Sequence, residues 1–322
     1  MAFLAVVIIM SSKSSHLEQR DVQPNPLGVM KRPREPDRVI DSAQQARGMT
    51  VLADAHVHLF RAGPRRSDIA AYEQLRSRFM ISRALVVGYE GAGGPAGNNR
   101  SILAWAQSRP WLACLAYAPP AAPPTAQQWA ELARNGFVGI SVYCTTYEQA
   151  EALRRWPAEL IDGLEASRAI ISVNAPVTLL NAVSELAARA PRCAMLVSHL
   201  GLPARSLDGA TAGDVTGRLQ PLLELGTRPG VGVKLSGFYA LGPAATGLHP
   251  LARPIVRALL DAFGAHRLYW GSDFPSIRGR VSFEDTIGCV TATGIPEAAL
   301  PAVFGDNLVR LLAARVDQPT GA

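Results

Sequence analysis

The sequence predicts an α/β fold, a single (β/α)8 TIM barrel, on three observations. Eight short apolar runs recur along the chain after Met49, separated by longer stretches of helical character. Most of the runs are apolar throughout, as strands of a parallel sheet covered on both faces are. Polar residues with reactive side chains gather at the C-terminal ends of the runs, where such a barrel carries its chemistry. A chain of 322 residues with 48% hydrophobic content can fill one core of that size. A doubly wound open sheet is the competing layout, but no Gly-x-Gly-x-x-Gly follows an early run. Gly91-Ala-Gly-Gly94 lacks that spacing and reads as a loop.

The candidate strands are Val51 to His56, Ala84 to Tyr89, Trp111 to Tyr117, Val138 to Tyr143, Ala169 to Asn174, Ala194 to His199, Gly232 to Ser236 and Leu268 to Ser272. Between them lie helix-like stretches such as Ala126 to Arg134, Val177 to Ala190 and Leu251 to Phe263, several opened by Pro or Thr. Before them, residues 2–10 are apolar but too short to span a bilayer, and no basic residue precedes them as a signal peptide requires. From Ser11 to Gly48 the chain is polar and Pro-containing, with little to bury. The expected organisation is a flexible extension over residues 1–48, a barrel domain over 49–315 and a tail over 316–322, with Met49 as a candidate alternative start.

A net charge of +6 and a pI near 9.4 could suit an anionic partner, yet the charge is scattered and no Lys/Arg run is interleaved with aromatics. Neither nucleic-acid nor membrane binding is expected. The four cysteines, Cys114, Cys144, Cys193 and Cys289, are far apart, mostly within apolar runs and without a Cys-x-x-Cys pair. They read as reduced core residues of a cytoplasmic protein. Arginine dominates the basic residues, and beyond Lys31 the only lysine is Lys234.

The first strand carries Asp54, His56 and His58 at alternate positions, which a regular strand puts on one face. Alone, His-x-His is also what two structural histidines look like. The other strand ends add partners: Ser141 and Tyr143 on strand four, Asn174 on strand five, His199 on strand six, Lys234 and Ser236 on strand seven, and Asp273 just past strand eight. Taken singly, His199 could bond a loop carbonyl and Asp273 could cap a turn. Lys234 could form a structural ion pair, although a lysine inside Val231-Gly-Val-Lys-Leu-Ser236 must lie in the barrel or near its mouth. As a set, a carboxylate facing imidazoles across a barrel mouth suits the activation of water, and hence hydrolysis.

The ordered motifs Asp54-Ala-His-Val-His58, Ser198-His-Leu-Gly201, Val233-Lys-Leu-Ser-Gly237 and Gly271-Ser-Asp-Phe-Pro275, closing with Phe304-Gly-Asp-Asn307, resemble the amidohydrolase superfamily. The likeness runs from Met49 to Ala314 and is narrower toward the amidohydrolase-related branch of lactonases, including 2-pyrone-4,6-dicarboxylate lactonase, and metal-dependent decarboxylases. Binuclear members bridge two metals with a lysine on strand four, and Phe137 to Tyr143 contains none. Mononuclear members place a histidine on strand five, where this chain has Ile171-Ser-Val-Asn174. The resemblance therefore implies either no metal or one divalent ion, zinc first, on His56, His58 and Asp273.

The expected function is opening of a small carboxylated lactone or related cyclic ester by water. Asp273 serves as base, with His199, His56 and His58 polarising the carbonyl. Substrate contacts are expected from Lys234, Asn174, Tyr143, Arg278 and Arg205, with Arg61, Arg65, Arg66 and Arg280 as further loop candidates for carboxylates. The alternatives are a metal-dependent decarboxylase of an aromatic or unsaturated acid and a barrel that binds a ligand without turning it over. Substrate identity and oligomeric state are not encoded in these motifs.

Overall fold

The computed structural model describes residues 51–61, 68–91, 94–242 and 248–316; the expected extension over 1–48 and most of the tail over 316–322 lie outside them. Eight parallel strands pair in sequence order: β1 (Leu52–Val57), β2 (Ile81–Val87), β3 (Leu112–Tyr117), β4 (Phe137–Tyr143), β5 (Ile170–Asn174), β6 (Ala194–Val197), β7 (Val231–Leu235) and β8 (Leu268–Trp270). Helices alternate with them, among them Asp68–Phe79, Asn98–Gln107, Ala126–Arg134, Leu180–Arg189 and Ala252–Phe263. The expected (β/α)8 TIM barrel is the fold. No helix among the described residues is long and apolar enough to cross a membrane.

The seam between β8 and β1 closes just beyond β8. The His58 N–H donates to the Phe274 carbonyl at 2.7 Å, and the Asp273 N–H donates to the His56 carbonyl at 2.9 Å. This short seam ties the two segments that carry His56, His58 and Asp273 directly to each other. Several helices start on capping boxes, including Thr125 with Gln128 and Ser282 with Asp285. Each such N-cap is worth about 1 kcal/mol, and it fixes where the preceding strand-to-helix loop must end.

Strand alternation sorts the core into two regions. One packs the outer strand faces against the helices and includes Val86, Ile140, Val173, Val233 and Leu259. The other fills the barrel lumen with Ala53, Ala55, Leu85, Leu115, Ile170, Leu196 and Tyr269, and is sealed below by Leu308 of the C-terminal helix Asn307–Val316. Gly232 makes room for Tyr269: a Cβ there would lie 2.7 Å from the Tyr269 ring.

One sequence expectation changes here. A regular β1 would have placed Asp54 on the face of His56 and His58. Instead the Asp54 side chain turns outward, where the Tyr72 hydroxyl of helix Asp68–Phe79 donates to its Oδ2 at 2.9 Å, while Ala53 and Ala55 face the lumen. The β1–β2 register shifts between Asp54 and Val57, and Asp54 Oδ1 accepts the His56 N–H at 3.1 Å and the Ser272 N–H at 2.9 Å. That irregularity resets the phase of the strand. Asp54 fixes the backbone beneath the histidines by bonding both sides of the seam.

Candidate active site

Four reactive side chains meet at the C-terminal mouth of the barrel. His56 and His58 rise from β1, His199 follows β6 and Asp273 follows β8, and all are buried. The His56 and His58 Nε2 atoms are 3.1 Å apart, and the His56 and His199 ring centroids are 4.4 Å apart. Asp273 Oδ1 lies 3.8 Å from His56 Nε2, and Oδ2 lies 3.9 Å from His199 Nδ1.

The local backbone is shaped to present them. His199 has φ 53° and Asp273 φ 58°, left-handed values that L side chains adopt at a cost of order 1 kcal/mol or more. Each sits where the chain turns sharply out of a strand, so the side chain is directed back over the lumen. Two glycines give the rings space. A Cβ on Gly271 would lie 2.8 Å from the His56 Cβ, and one on Gly237 would lie 2.8 Å from His199 Nδ1.

Hydrogen bonds assign most of the protons. His58 Nδ1–H donates to the Val87 carbonyl at 2.7 Å, which leaves its Nε2 lone pair facing the mouth. The Tyr143 hydroxyl, 3.3 Å away, donates to that lone pair. Ser236 Oγ lies 3.0 Å from His199 Nδ1. Tyr239, on the loop after β7, donates its hydroxyl to Asp273 Oδ2 in a short contact, with the Arg280 guanidinium 5.3 Å above the Tyr239 ring. Oδ1 is thereby the carboxylate oxygen that faces His56.

Burial governs the electrostatics. It keeps the imidazoles neutral, pushing His58 down to about 4, His199 down to about 3 and His56 well below its ordinary value. It raises Asp273, opposed by His58 and by hydrogen bonds from Tyr239 and Ser276. Asp54 is raised to about 6 by the same desolvation, against its hydrogen bonds from Ser272, His56 and Tyr72.

The expected substrate-contact residues divide into three groups. Tyr143 and Asn174 are register partners at the ends of β4 and β5, and the Tyr143 hydroxyl lies 3.3 Å from His58 Nε2. Lys234 is fully buried beneath His56: its Nζ donates to Ser172 Oγ at 2.7 Å and lies 3.3 Å from His56 Nδ1, on the ring edge opposite Nε2. There its Nζ meets the His56 ring and the Ser172 hydroxyl. Arg278 is drawn to the buried Asp68, Nη1 to Oδ1 2.8 Å, and stacks over Phe274 at 4.5 Å. Arg61 is exposed, while Arg65, Arg66 and the Arg205 side chain lie outside the described residues.

Sequence reasoning missed Tyr239, whose only signal was its place just past the end of β7. It also missed Ser172, an apolar-run serine that proves to be the partner of Lys234. The Gly237 contact carries a direct test. Gly237→Ala, with φ 68° and the His199 ring in the way, is expected to lower kcat/KM at least about tenfold by displacing the imidazole. Gly209→Ala is the control for backbone strain, since Gly209 has φ 65° and nothing within 4 Å, and its kinetics should match the parent.

The donor set fits one divalent metal. One ligand atom from each of His56, His199 and Asp273 falls within 4.8 Å of the others, and burial keeps the imidazoles neutral. His58, expected from the sequence beside His56 and Asp273, is not in that group; His199 takes its place, and His58 Nε2 lies 3.3 Å from the Tyr143 hydroxyl. The strand β4 contributes no lysine to bridge a second ion.

A family model described as "Amidohydrolase" matches residues 53–313. A curated relative, an L-fucono-1,5-lactonase of Burkholderia ambifaria, is 33% identical over 152 residues, 44% of this chain and 48% of the relative. The match thus spans about half the length of that relative. Among solved structures, an amidohydrolase from Burkholderia multivorans with bound zinc superposes with TM-score 0.67 at 22% identity, covering 82% of this chain and 99% of that one. A Pseudomonas putida protein named for 2-pyrone-4,6-dicarboxylic acid hydrolysis superposes with TM-score 0.63 at 22% identity, covering 82% and 98%. These two likenesses concern the fold, whereas the family model spans the barrel and every motif at its mouth: the chain belongs to the amidohydrolase family.

Proposed function

We propose that this chain opens a small lactone by hydrolysis at the barrel mouth, with Asp273 as the base. The observation that carries the reading is the setting of Asp273. Tyr239 occupies one carboxylate oxygen, and the other faces neutral imidazoles in a buried site. A water between Oδ1 and a bound carbonyl can pass its proton to that oxygen. The relative named as a lactonase supports an ester ring as substrate.

In this reading the water oxygen bonds to the lactone carbonyl carbon as its proton passes to Asp273 Oδ1. The ring C–O bond then breaks, and Asp273 returns the proton to the departing alkoxide, giving a hydroxy acid. The His58 and His199 rings line the carbonyl and orient it, while burial excludes competing solvent. A single divalent ion on His56, His199 and Asp273, with His58 alongside, would supply Lewis-acid polarisation of the carbonyl.

The test is a panel of lactones in 18O-labelled water, with and without a chelator. One labelled oxygen in the product carboxylate and no carbon dioxide is the expected result. Retained activity after chelation would assign the metal-free form, and lost activity restored by zinc would assign the metal form. Carbon dioxide released from an aromatic or unsaturated acid, with no lactone opened, would overturn the reading in favour of a decarboxylase.

A further inference from the structure

The hydrogen bonds of the His56–His58 pair place the proton on each ring. Each imidazole is neutral in this buried site and carries one proton. His58 holds its proton on Nδ1 and gives it to the Val87 carbonyl at 2.7 Å, so its Nε2 presents a lone pair. The hydrogen bond between the two Nε2 atoms, 3.1 Å long, then takes its proton from His56. His56 therefore carries Nε2–H and a bare Nδ1.

The groups at its other edge agree with that tautomer. Lys234 Nζ lies 3.3 Å from His56 Nδ1, and Ser198 Oγ lies 3.4 Å from it. The amine bears hydrogens in either charge state. One goes to Ser172 Oγ at 2.7 Å, and another is free to meet the Nδ1 lone pair. Fully buried within β7, the amine has no solvent to turn to instead.

A metal asks the reverse of its ligand. A histidine that ligates through one nitrogen keeps its proton on the other and donates it to an acceptor behind the ring. His58 Nδ1 has the Val87 carbonyl in that position, and His199 Nδ1 has the Ser236 hydroxyl at 3.0 Å. Among the described residues, His56 alone of the three rings is backed by an amine. To ligate through Nε2 it must move its proton to Nδ1, against Lys234, with Ser198 Oγ as the acceptor in reach.

We infer that Lys234 sets the metal affinity of the mouth, holding His56 with its proton on Nε2 and so weakening the binding of a divalent ion there. The inference concerns occupancy by an ion and stands apart from the lactone reading, whatever substrate the mouth turns over.

Zinc alone is the probe. Competition of the metal-stripped full chain against a chromophoric chelator should show Lys234→Met binding zinc at least about tenfold more tightly than the parent, the range over which partners of a ligating histidine act. Lys234→Gln should tighten binding likewise, since its amide oxygen can accept the Nδ1 proton while its amide nitrogen keeps Ser172. Zinc affinities of the parent and both variants within about threefold of one another would overturn the inference. Nitrogen-15 NMR of the metal-stripped parent, labelled at histidine, needs no variant to fold: it should show His56 protonated on Nε2 and His58 on Nδ1. A His56 proton on Nδ1 would overturn the inference by itself. Failure of every lactone in the turnover panel would sink the catalytic reading and leave both of these measurements unchanged.

Discussion

Asp273→Asn is expected to lower kcat for lactone opening by about a hundredfold or more, with KM within a few-fold of the parent. The substitution is close to isosteric, and the surroundings are built to tolerate it. Asn is among the few residues that accept a left-handed backbone, which Asp273 holds at φ 58°. Its carbonyl can still take the Tyr239 hydroxyl, and its N–H still donates to the His56 carbonyl across the seam. What disappears is the second carboxylate oxygen, the group proposed to receive the proton of water. The loss therefore falls on the chemical step rather than on folding or binding. Circular dichroism and thermal melting should match the parent while progress curves of proton release fall away. Turnover within about fivefold of the parent would remove Asp273 from the role of base. Tyr239→Phe offers the complementary reading, since it frees Oδ2 and leaves the acceptor in place; its loss should be the smaller of the two.

The barrel was legible because its signals are local and repeated. Each strand is a short apolar run, most are followed by a helix of eight residues or more, and the eight runs recur in order along the chain. Errors at strand edges, such as β2 starting at Ile81 rather than Ala84, move no side chain across the sheet. The four reactive residues were legible for the same reason, since position at a strand end is itself a spatial statement in this fold. Orientation was the harder problem. Asp54 was placed on the wrong face of β1 because a register shift depends on the partner strand and on Ser272, more than two hundred residues away. The fate of Lys234 was hidden likewise: the pattern put it inside the barrel, but whether its ammonium reached the mouth depended on Ser172 and the His56 ring. The arginines were least legible of all, because a long side chain on a loop goes to whichever carboxylate tertiary structure offers, here Asp68 for Arg278.

Lys234→Met separates what the fold requires from what the site requires, and its signature is a slope. Lys234 is fully buried and makes no ion pair among the described residues. Burial lowers its pKa from 10.5 to about 7, partly offset by attraction to Asp54 and Asp273. The unfolded chain thus binds a proton between those values that the folded chain does not. The stability contributed by the neutral amine is fully present above 10.5 and is lost as pH falls through the folded value near 7. Near neutrality the parent carries a penalty of up to about 5 kcal/mol, from 3.5 pH units at about 1.4 kcal/mol each. Met fills the volume without the charge, but it deprives Ser172 and His56 of a partner, at about 1–3 kcal/mol each. The two effects are of similar size, so the net at one pH decides little, whereas the pH dependence belongs to Lys234 alone. Urea unfolding of metal-stripped protein at about pH 7.5, 8.5 and 9.5 should show the parent gaining on the variant by roughly 1.4 kcal/mol per unit. A difference independent of pH would mean that Lys234 keeps its proton in the folded state. Activity should fall at least about tenfold in the same variant, because the His56 ring loses the contact at Nδ1 that holds its other nitrogen toward Asp273. A residue that weakens the folded protein near neutral pH, yet is required for turnover, is held there by the chemistry of the mouth rather than by the stability of the barrel.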